Sequence, residues 1–391
     1  MAASKKIILG ILPSLGGSIK SQRVDRREGL FLGYYIPKYL QNFDEVRYFS
    51  YAKAEEPKET HLAGFHIFSN QLGLQRFLYA LVIPFFYRNQ IKACNLFRVM
   101  HLNGAIPAII IKKLYGIPFV ATYGYNYAKF AEIEGHRWKA KVLRMMIPFF
   151  LKNAKAIIVT TADLKKEVEN YIGKLGKIEL VPNGVDAAKF APEKNTASKQ
   201  ELFSLFRLLS IGRLEKQKNL FFLLDVIARL KDKRSIKLVV IGRGSLESEL
   251  KEKVNRENLP VHFISHVAYD SIREYHRESD CFISTSLAEG HPKALIEAMS
   301  SGLACVVSDC AGNRTLIKDG RNGFLLKTEE IDLWVDRLSE LSNNPALCMG
   351  AGRQAREHII QNFDIHHTLD KELKLLLSVA NQPERTMEVA C

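Results

Sequence analysis

Two long cations and two carboxylates stand at spacings that suit a diphosphate and the groups attached to it. The cations lie in Gly212-Arg-Leu-Glu-Lys-Gln-Lys-Asn219, which follows an apolar run and opens a helical one. Arg213 and Lys218, with free amides at a helix N-terminus, suit a diphosphate. Taken alone, the segment also reads as a basic loop leading into a solvated helix. Gly242-Arg-Gly-Ser245 is a second small-residue turn after a strand. A lone Gly-x-Gly is weak evidence and also serves close strand–helix packing. The carboxylates lie in Ser284-Thr-Ser-Leu-Ala-Glu-Gly-His-Pro-Lys-Ala-Leu-Ile-Glu297. Glu289 falls in the loop after a strand and Glu297 in the helix that follows. Gly290 and Pro292 shape that loop, so the amides of Lys293, Ala294 and Leu295 can point at a ligand. Helical spacing carries Glu297 about two turns down, where a carboxylate can accept both hydroxyls of a ribose. A capping and a surface glutamate are the common fate of such a pair. The order of strand, Ser-rich turn, Glu-Gly-x-Pro and helix argues for a site.

These segments need strands to end beside them. In the second half, 206–211, 236–241, 261–264, 281–285 and 304–308 read as strands, alternating with helical stretches at 219–230, 246–255, 271–277 and 294–301. Continuous apolar strands with intervening helices predict a parallel sheet covered on both faces. The first half repeats the scheme through 7–12, 96–99, 119–122 and 156–160, the last followed by a helix over 162–171. The fold class is therefore α/β, with two doubly wound Rossmann-like domains. The expected boundaries are 1–190, a polar linker at 191–200, a second domain at 201–360, and a C-terminal helix at 361–391 crossing back to the first domain. Ligands in such sheets bind beyond the carboxyl ends of the strands, which puts the expected site in the cleft between the halves.

Charge is the most informative part of the composition. The chain has 391 residues, 56 Lys+Arg and 42 Asp+Glu, for a net charge of +14. Met1–Phe190 holds 28 basic and 14 acidic residues, so the remainder is balanced at 28 of each (56 − 28 and 42 − 14). From Thr60 to Ala131 there are seven basic residues and no acidic one. A field confined to one domain concerns that domain's partner. Anionic lipid headgroups, phosphorylated acceptors and nucleic acid are candidates; the domain's lack of a recognition module disfavours nucleic acid. The longest apolar run, Phe77–Tyr87, is eleven residues, against the roughly 20 a helical crossing needs. The N-terminal apolar stretch ends after six residues, Ile7–Leu12, too soon for a signal peptide. Six isolated cysteines without a Cys-x-x-Cys pair suggest a reducing, cytoplasmic compartment and no zinc site.

With these residues in hand, the second half resembles the family 4, or group 1, retaining glycosyltransferases of the GT-B fold. The resemblance rests on Pro182-Asn-Gly-Val-Asp186, Gly212-Arg-Leu with Lys218-Asn219, Gly242-Arg-Gly, and Glu289 with Glu297, seven residues lying between the two. Glu297-Ala-Met299, Gly302, Gly312-Asn-Arg314 and Asp319-Gly-Arg-Asn-Gly323 continue it in family order. The first half matches more loosely, through Gly16-Gly17 after a strand and His101 after another. The resemblance implies that Arg213 and Lys218 neutralise the departing diphosphate, that Glu297 holds the ribose and that Glu289 contacts the transferred sugar. The loop from His291 through Pro292 to Lys293, Ala294 and Leu295 would fix the sugar hydroxyls with its amides, Pro292 shaping the turn without an N–H of its own, and backbone from Ser265 to Val267 would meet the base. Gly16 and Gly17 would let a loop approach the phosphates, and His101 would face the sugar. Gly242 completes the donor-binding set. The resemblance further implies no metal and no cofactor, a nucleotide sugar (UDP-linked first, GDP-mannose second) as co-substrate, and retention of configuration. Two departures bear on the acceptor. The first arginine after the paired glycines is delayed to Arg23, and Thr122-Tyr-Gly124 stands where many members have a histidine.

Arg137, Lys141 and Arg144 beside Trp138, Val142, Met145 and Phe149 predict a basic amphipathic helix able to lie on an anionic membrane, each basic residue contributing roughly 1 kcal/mol there. A surface helix packing its stripe on its own core fits that segment equally well. With the acid-free stretch, the expectation is a peripheral enzyme on the inner face of the plasma membrane that glycosylates a lipid-linked acceptor for a cell-surface polysaccharide. A nucleotide-sugar epimerase or hydrolase on the same plan, and a non-catalytic sugar-nucleotide-binding protein, stay open as alternatives.

Overall fold

The computed structural model describes residues 6–19, 28–53, 62–173, 176–192 and 205–381. Most of the expected linker, 193–200, lies outside the described residues. The chain divides into two compact units: Met1–Gly124, Leu143–Val181 and Leu369–Cys391 form the first, Tyr125–Val142 and Pro182–Thr368 the second.

The first unit carries β1 (Ile8–Leu12), β2 (Glu45–Phe49), β3 (Phe65–Phe68), β4 (Leu96–Val99), β5 (Phe119–Tyr123), β6 (Ala156–Val159) and β7 (Lys177–Leu180). They form one sheet in the order β3-β2-β1-β4-β5-β6-β7, with every pairing parallel. The central strands β1, β4, β5 and β6 are buried at every position, as a sheet covered on both faces requires. Arg98, in the middle of β4, is the exception in type. It is 3% exposed and donates from Nε to Glu372 Oε1 at 2.6 Å, from Nη1 to the Val99 carbonyl and from Nη2 to Thr122 Oγ1. Glu372 also accepts from the Tyr39 hydroxyl at 2.6 Å. It sits on the last helix, Ile365–Ala380, whose apolar residues Leu373, Leu375, Leu376 and Val379 enter the same core as Leu9, Val46 and Tyr48.

The second unit carries β8 (Phe206–Ile211), β9 (Ile236–Ile241), β10 (Val261–Ile264), β11 (Cys281–Ser284), β12 (Ala304–Ser308) and β13 (Phe324–Leu326). Their order is β10-β9-β8-β11-β12-β13, again parallel throughout. Successive strand residues point to opposite faces. Leu208, Leu238, Ile283 and Val306 thus enter one core with Trp334, while Leu209, Ile241, Phe282 and Val307 enter the other with Met299.

Each sheet reverses its strand order once, between β1 and β4 and between β8 and β11. Crevices for ligands open at such switch points. At the second one the opening is visible in the register. β8 pairs with β11 only through Leu208–Cys281 and Leu209–Phe282, whereas it stays paired with β9 to Ile211. β8 and β11 therefore diverge before β8 ends.

Candidate functional site

The divergence of β8 and β11 is lined by Ser210, Ile211, Gly212, Arg213, Lys218 and Thr285, around a cavity of about 10 Å³, room for about one water. Two loops frame it. After β8 the chain makes a single 3-10 turn at Lys216–Lys218, and Asn219 adopts φ of 51° to start the helix Leu220–Lys231. Asparagine tolerates that left-handed conformation because its short side chain can bond locally. After β11 the chain runs through Thr285–His291 to the helix Lys293–Ser300.

The two loops are bolted together. Thr285 Oγ1 donates to the carbonyls of Lys218 and Asn219, both at 3.1 Å. The Leu287 amide donates to the Gln217 carbonyl at 2.8 Å, and Gln217 Nε2 donates to the Ala288 carbonyl. The Gln217 amide in turn donates to Glu134 Oε1 at 3.1 Å. Across this brace Lys218 Nζ meets Glu289 Oε1 at 2.5 Å, with the side chains 18% and 9% exposed. Arg213 is exposed and makes no hydrogen bond or ion pair with its guanidinium among the described residues. It stands as a cation available to an incoming anion.

Glycines set how closely these loops approach. A Cβ on Gly242 would lie 1.7 Å from the Gly212 carbonyl oxygen, and one on Gly244 2.2 Å from that of Leu214. The Gly242-Arg-Gly turn therefore packs loop on loop beyond β8 and β9. Hydrogen bonds from the Leu214 amide to the Arg243 carbonyl and from Ser245 to the Glu215 carboxylate lock that contact. A Cβ on Gly312 would meet the carbonyls of Glu289 and Gly290 at 2.6 and 2.5 Å. Gly312 thus lets the short helix Ala311–Arg314 abut the Glu289 loop.

Pro292 caps the helix Lys293–Ser300 with extended backbone, so Lys293, Ala294 and Leu295 are its first three residues. Their amides fall among those an α-helix leaves without internal partners. Glu297, half-buried, is the fifth residue of this helix. That corrects the expectation of two helical turns between the carboxylates: Glu289 to Pro292 are loop, because proline starts the helix late, and Glu297 lies one turn in. His291 is 5% exposed. Its Nδ1 accepts from the Asn183 amide at 3.2 Å, and its carbonyl accepts from Asn183 Nδ2 at 2.7 Å. The accepting Nδ1 puts the ring proton on Nε2. Burial, reinforced by the Lys293 charge, holds this imidazole down at about 3. Pro182-Asn-Gly-Val-Asp186 thus anchors the Glu289–Pro292 loop through Asn183. Ser265 and Val267 follow β10, two strands from the crevice. Ser265 Oγ contacts Glu247 at 3.3 Å, and Val267 is packed in the core.

In the first unit, Gly16 and Gly17 follow β1 and His101 follows β4, at that sheet's own switch point. Gly16 has φ of +84° and the Gly17 amide closes a turn on the Ser14 carbonyl at 2.6 Å. His101 is half-buried and precedes a 3-10 turn at Leu102–Gly104. A Cβ on Gly104 would lie 2.0 Å from the Pro13 carbonyl oxygen, so the two loops touch. Among the described residues no three His, Cys, Asp or Glu side chains gather as a metal site would require.

Sequence reasoning missed Gln217, Thr285, Asn183 and Gly312 as parts of this site. Gln217 and Thr285 carry no spacing signal, because their partners lie about 70 positions away. Asn183 and Gly312 stood within recognised motifs, and only the contacts reveal what they hold.

Two parallel doubly wound units, with charged groups at the strand-order reversal of the second, define a GT-B protein. Residues 193–358 match the profile described as "Glycosyl transferases group 1" and residues 37–189 that described as "Glycosyltransferase Family 4". The chain belongs to this glycosyltransferase family. It is 29% identical over 274 residues, 67% of this chain and 70% of the relative, to the UDP-Gal:alpha-D-GlcNAc-diphosphoundecaprenol alpha-1,3-galactosyltransferase of Escherichia coli. In fold it matches the sucrose-phosphate synthase of Thermosynechococcus elongatus, with a TM-score of 0.78, 16% identity and coverage of 96% of this chain and 99% of the other. It also matches Anabaena Alr3699/HepE solved with UDP and glucose, with a TM-score of 0.73, 18% identity and coverage of 95% and 100%.

Proposed function

We propose that this glycosyltransferase moves a hexose or N-acetylhexosamine from a UDP-sugar to a glycan acceptor carried on a lipid, with retention of configuration, in cell-surface polysaccharide synthesis. The observation that carries this reading is the gathering of Arg213, Lys218 and Glu289 where β8 and β11 diverge. Breaking the bond between the anomeric carbon and the diphosphate oxygen puts negative charge on the diphosphate and leaves a cation-like sugar ring. Arg213 and Lys218 lower that barrier because they are already in place. The acceptor hydroxyl forms the new bond on the face the diphosphate leaves, and its proton passes to the departing phosphate oxygen. Glu289 faces the developing cation; Glu297 takes the ribose hydroxyls; the amides of Lys293 to Leu295 complete the assignments within the second unit. A UDP-linked donor and a lipid-diphosphate acceptor are the chemistry printed in the name of the Escherichia coli relative.

The helix Arg137–Asn153 supports a peripheral, membrane-facing enzyme. Trp138 and Met145 are 76% and 74% exposed and Phe149 is 50% exposed, beside exposed Arg137, Lys141 and Arg144. No helix among the described residues is long and apolar enough to cross a membrane. The test is a thermal-shift screen against sugar nucleotides, then product analysis with the stabilising donor and a lipid-diphosphate sugar. A disaccharide product of retained configuration is expected. Consumption of the donor with no second sugar joined would replace this reading with a hydrolase or epimerase.

A further inference from the structure

After β5 the chain makes an excursion. Tyr125–Val142 packs with the second unit, whereas Met1–Gly124 before it and Leu143–Val181 after it belong to the first. The excursion opens with the helix Tyr127–Ile133, which lies against the Lys216–Lys218 turn of the candidate site. Its geometry is fixed at both ends. Asn126 Oδ1 caps the start by accepting the Lys129 amide at 2.8 Å. At the other end Gly135 takes φ of +85°. The Gly135 amide donates to the Glu132 carbonyl at 2.9 Å and the His136 amide to the Ala131 carbonyl at 2.8 Å. That paired closure around a left-handed glycine is the Schellman ending of a helix. Packed rings stiffen it further, with the Tyr125 centroid 4.1 Å from that of Tyr127 and 4.8 Å from that of Phe130.

This closure sets Glu134 at the helix C-cap, where the carbonyl ends favour cations and disfavour a carboxylate. What Glu134 gains there is the Gln217 amide, at 3.1 Å. Gln217 is the middle residue of the turn that carries Lys218 and is 1% exposed. Its side chain and its carbonyl are committed to the Glu289 loop, through Ala288 and Leu287. Its amide is committed to Glu134.

We propose that Glu134 is a positioning residue: by gripping the Gln217 amide it fixes the turn that presents Lys218 to a diphosphate, so that the donor site is complete only with the Tyr125–Val142 excursion docked. The inference rests on the diphosphate-binding role proposed above for Lys218. Glu134 touches neither donor nor acceptor; it acts through Gln217, whose bonds to the second loop set the contact between Lys218 and Glu289. The accepting oxygen matters here more than its charge. A neutral amide oxygen at the same place can accept the same N–H, whereas a shorter side chain withdraws it.

The test is calorimetric titration of UDP into the full chain, with melting temperature and donor turnover read beside it. Glu134→Ala and Glu134→Asp should each weaken UDP roughly tenfold and slow transfer, with stoichiometry and melting temperature near wild type. Glu134→Gln should keep most of the wild-type affinity. A folding defect instead lowers the stoichiometry and leaves the affinity of the folded remainder unchanged; should alanine prevent folding, Glu134→Asp carries the comparison. Paired with Gln217→Ala, Glu134→Ala should add little, because both release the same turn. Wild-type affinity in the alanine and aspartate variants, a glutamine variant as weak as alanine, or losses that multiply with Gln217→Ala overturn the inference. If wild type binds UDP and the variants match it, the positioning role alone fails. If wild type binds no UDP, the diphosphate reading fails and takes this inference with it.

Discussion

The ion pair between Lys218 and Glu289 makes its two halves behave oppositely toward a nucleoside diphosphate. Lys218 Nζ lies 2.5 Å from Glu289 Oε1 and both side chains are largely buried, so the contact is little screened by solvent. A charge-assisted hydrogen bond of this kind is worth roughly 1.5–3 kcal/mol, or about 10- to 150-fold in binding. A diphosphate that recruits Lys218 must share it with Glu289 and forfeits some of that energy. In Glu289→Gln the competing charge is gone while the side-chain volume stays. UDP, which lacks the transferred sugar that Glu289 would contact, should therefore bind roughly tenfold tighter, although sugar transfer slows. In Lys218→Ala transfer should fall by about 10²–10³, with UDP weakened and the fold retained. Calorimetric titration of UDP and product formation under saturating donor read the two effects. UDP affinity unchanged or weakened in Glu289→Gln would show that Lys218 does not serve the diphosphate.

Four further outcomes are expected. Gly212→Ala should leave stability nearly unchanged yet slow turnover, because a Cβ there falls 2.8 Å from Lys218 Cε and only the flexible side chain must move; thermal melts and initial rates separate the two. Gln217→Ala should reduce turnover with the charged groups intact, as the loop brace to Ala288 is lost, and unaltered kinetics would show the brace to be dispensable. Glu372→Ala leaves Arg98 buried without its carboxylate and should destabilise by roughly 3–5 kcal/mol in urea unfolding. Acid should weaken the fold through His276 and His291, both held down to about 3 by burial. The unfolded chain takes up these protons near 6.5 and the folded chain does not, so stability is complete above that pH and falls toward 3, by about 1.4 kcal/mol per pH unit for each imidazole. A His276→Leu variant should lose about half of that slope between roughly pH 6 and 5, measured by denaturant midpoints.

The α/β class with two doubly wound sheets was readable because the central strands are continuous apolar runs, Leu96–Val99 and Ala304–Ser308 among them, with helices between. The strands that escaped notice lie toward sheet edges or are very short. β2 (Glu45–Phe49) mixes charges into its pattern, and Lys6 and Arg47 pair with Glu45. β7 is Lys-Ile-Glu-Leu, with its ends exposed, and β13 is three residues. An edge strand need bury only a fraction of its surface, so its composition looks like that of a loop. The exposed apolar face of the helix Arg76–Phe86 was hidden for the opposite reason. An unbroken apolar run looks like core whichever way its residues point.

At the candidate site the division follows the range of the interaction. Arg213, Lys218, Glu289 and Glu297 could be singled out because each sits where a strand gives way to a helix, a local event written in adjacent residues. What holds Lys218 against Glu289 is written nowhere locally: Gln217 and Thr285 reach between segments about 70 positions apart, and Gly242 matters for a carbonyl 30 positions earlier. The same types at the same spacing on two unbraced loops would be surface charges in water, contributing at most about 1 kcal/mol as a pair. Fixed by backbone contacts within a partly buried crevice, Lys218 and Glu289 become groups whose positions are set beforehand, the condition under which electrostatic stabilisation of a departing diphosphate needs no reorganisation. On the proposed reading the chemistry falls to four side chains, while the bracing of their loops falls to glycines, amides and one buried glutamine.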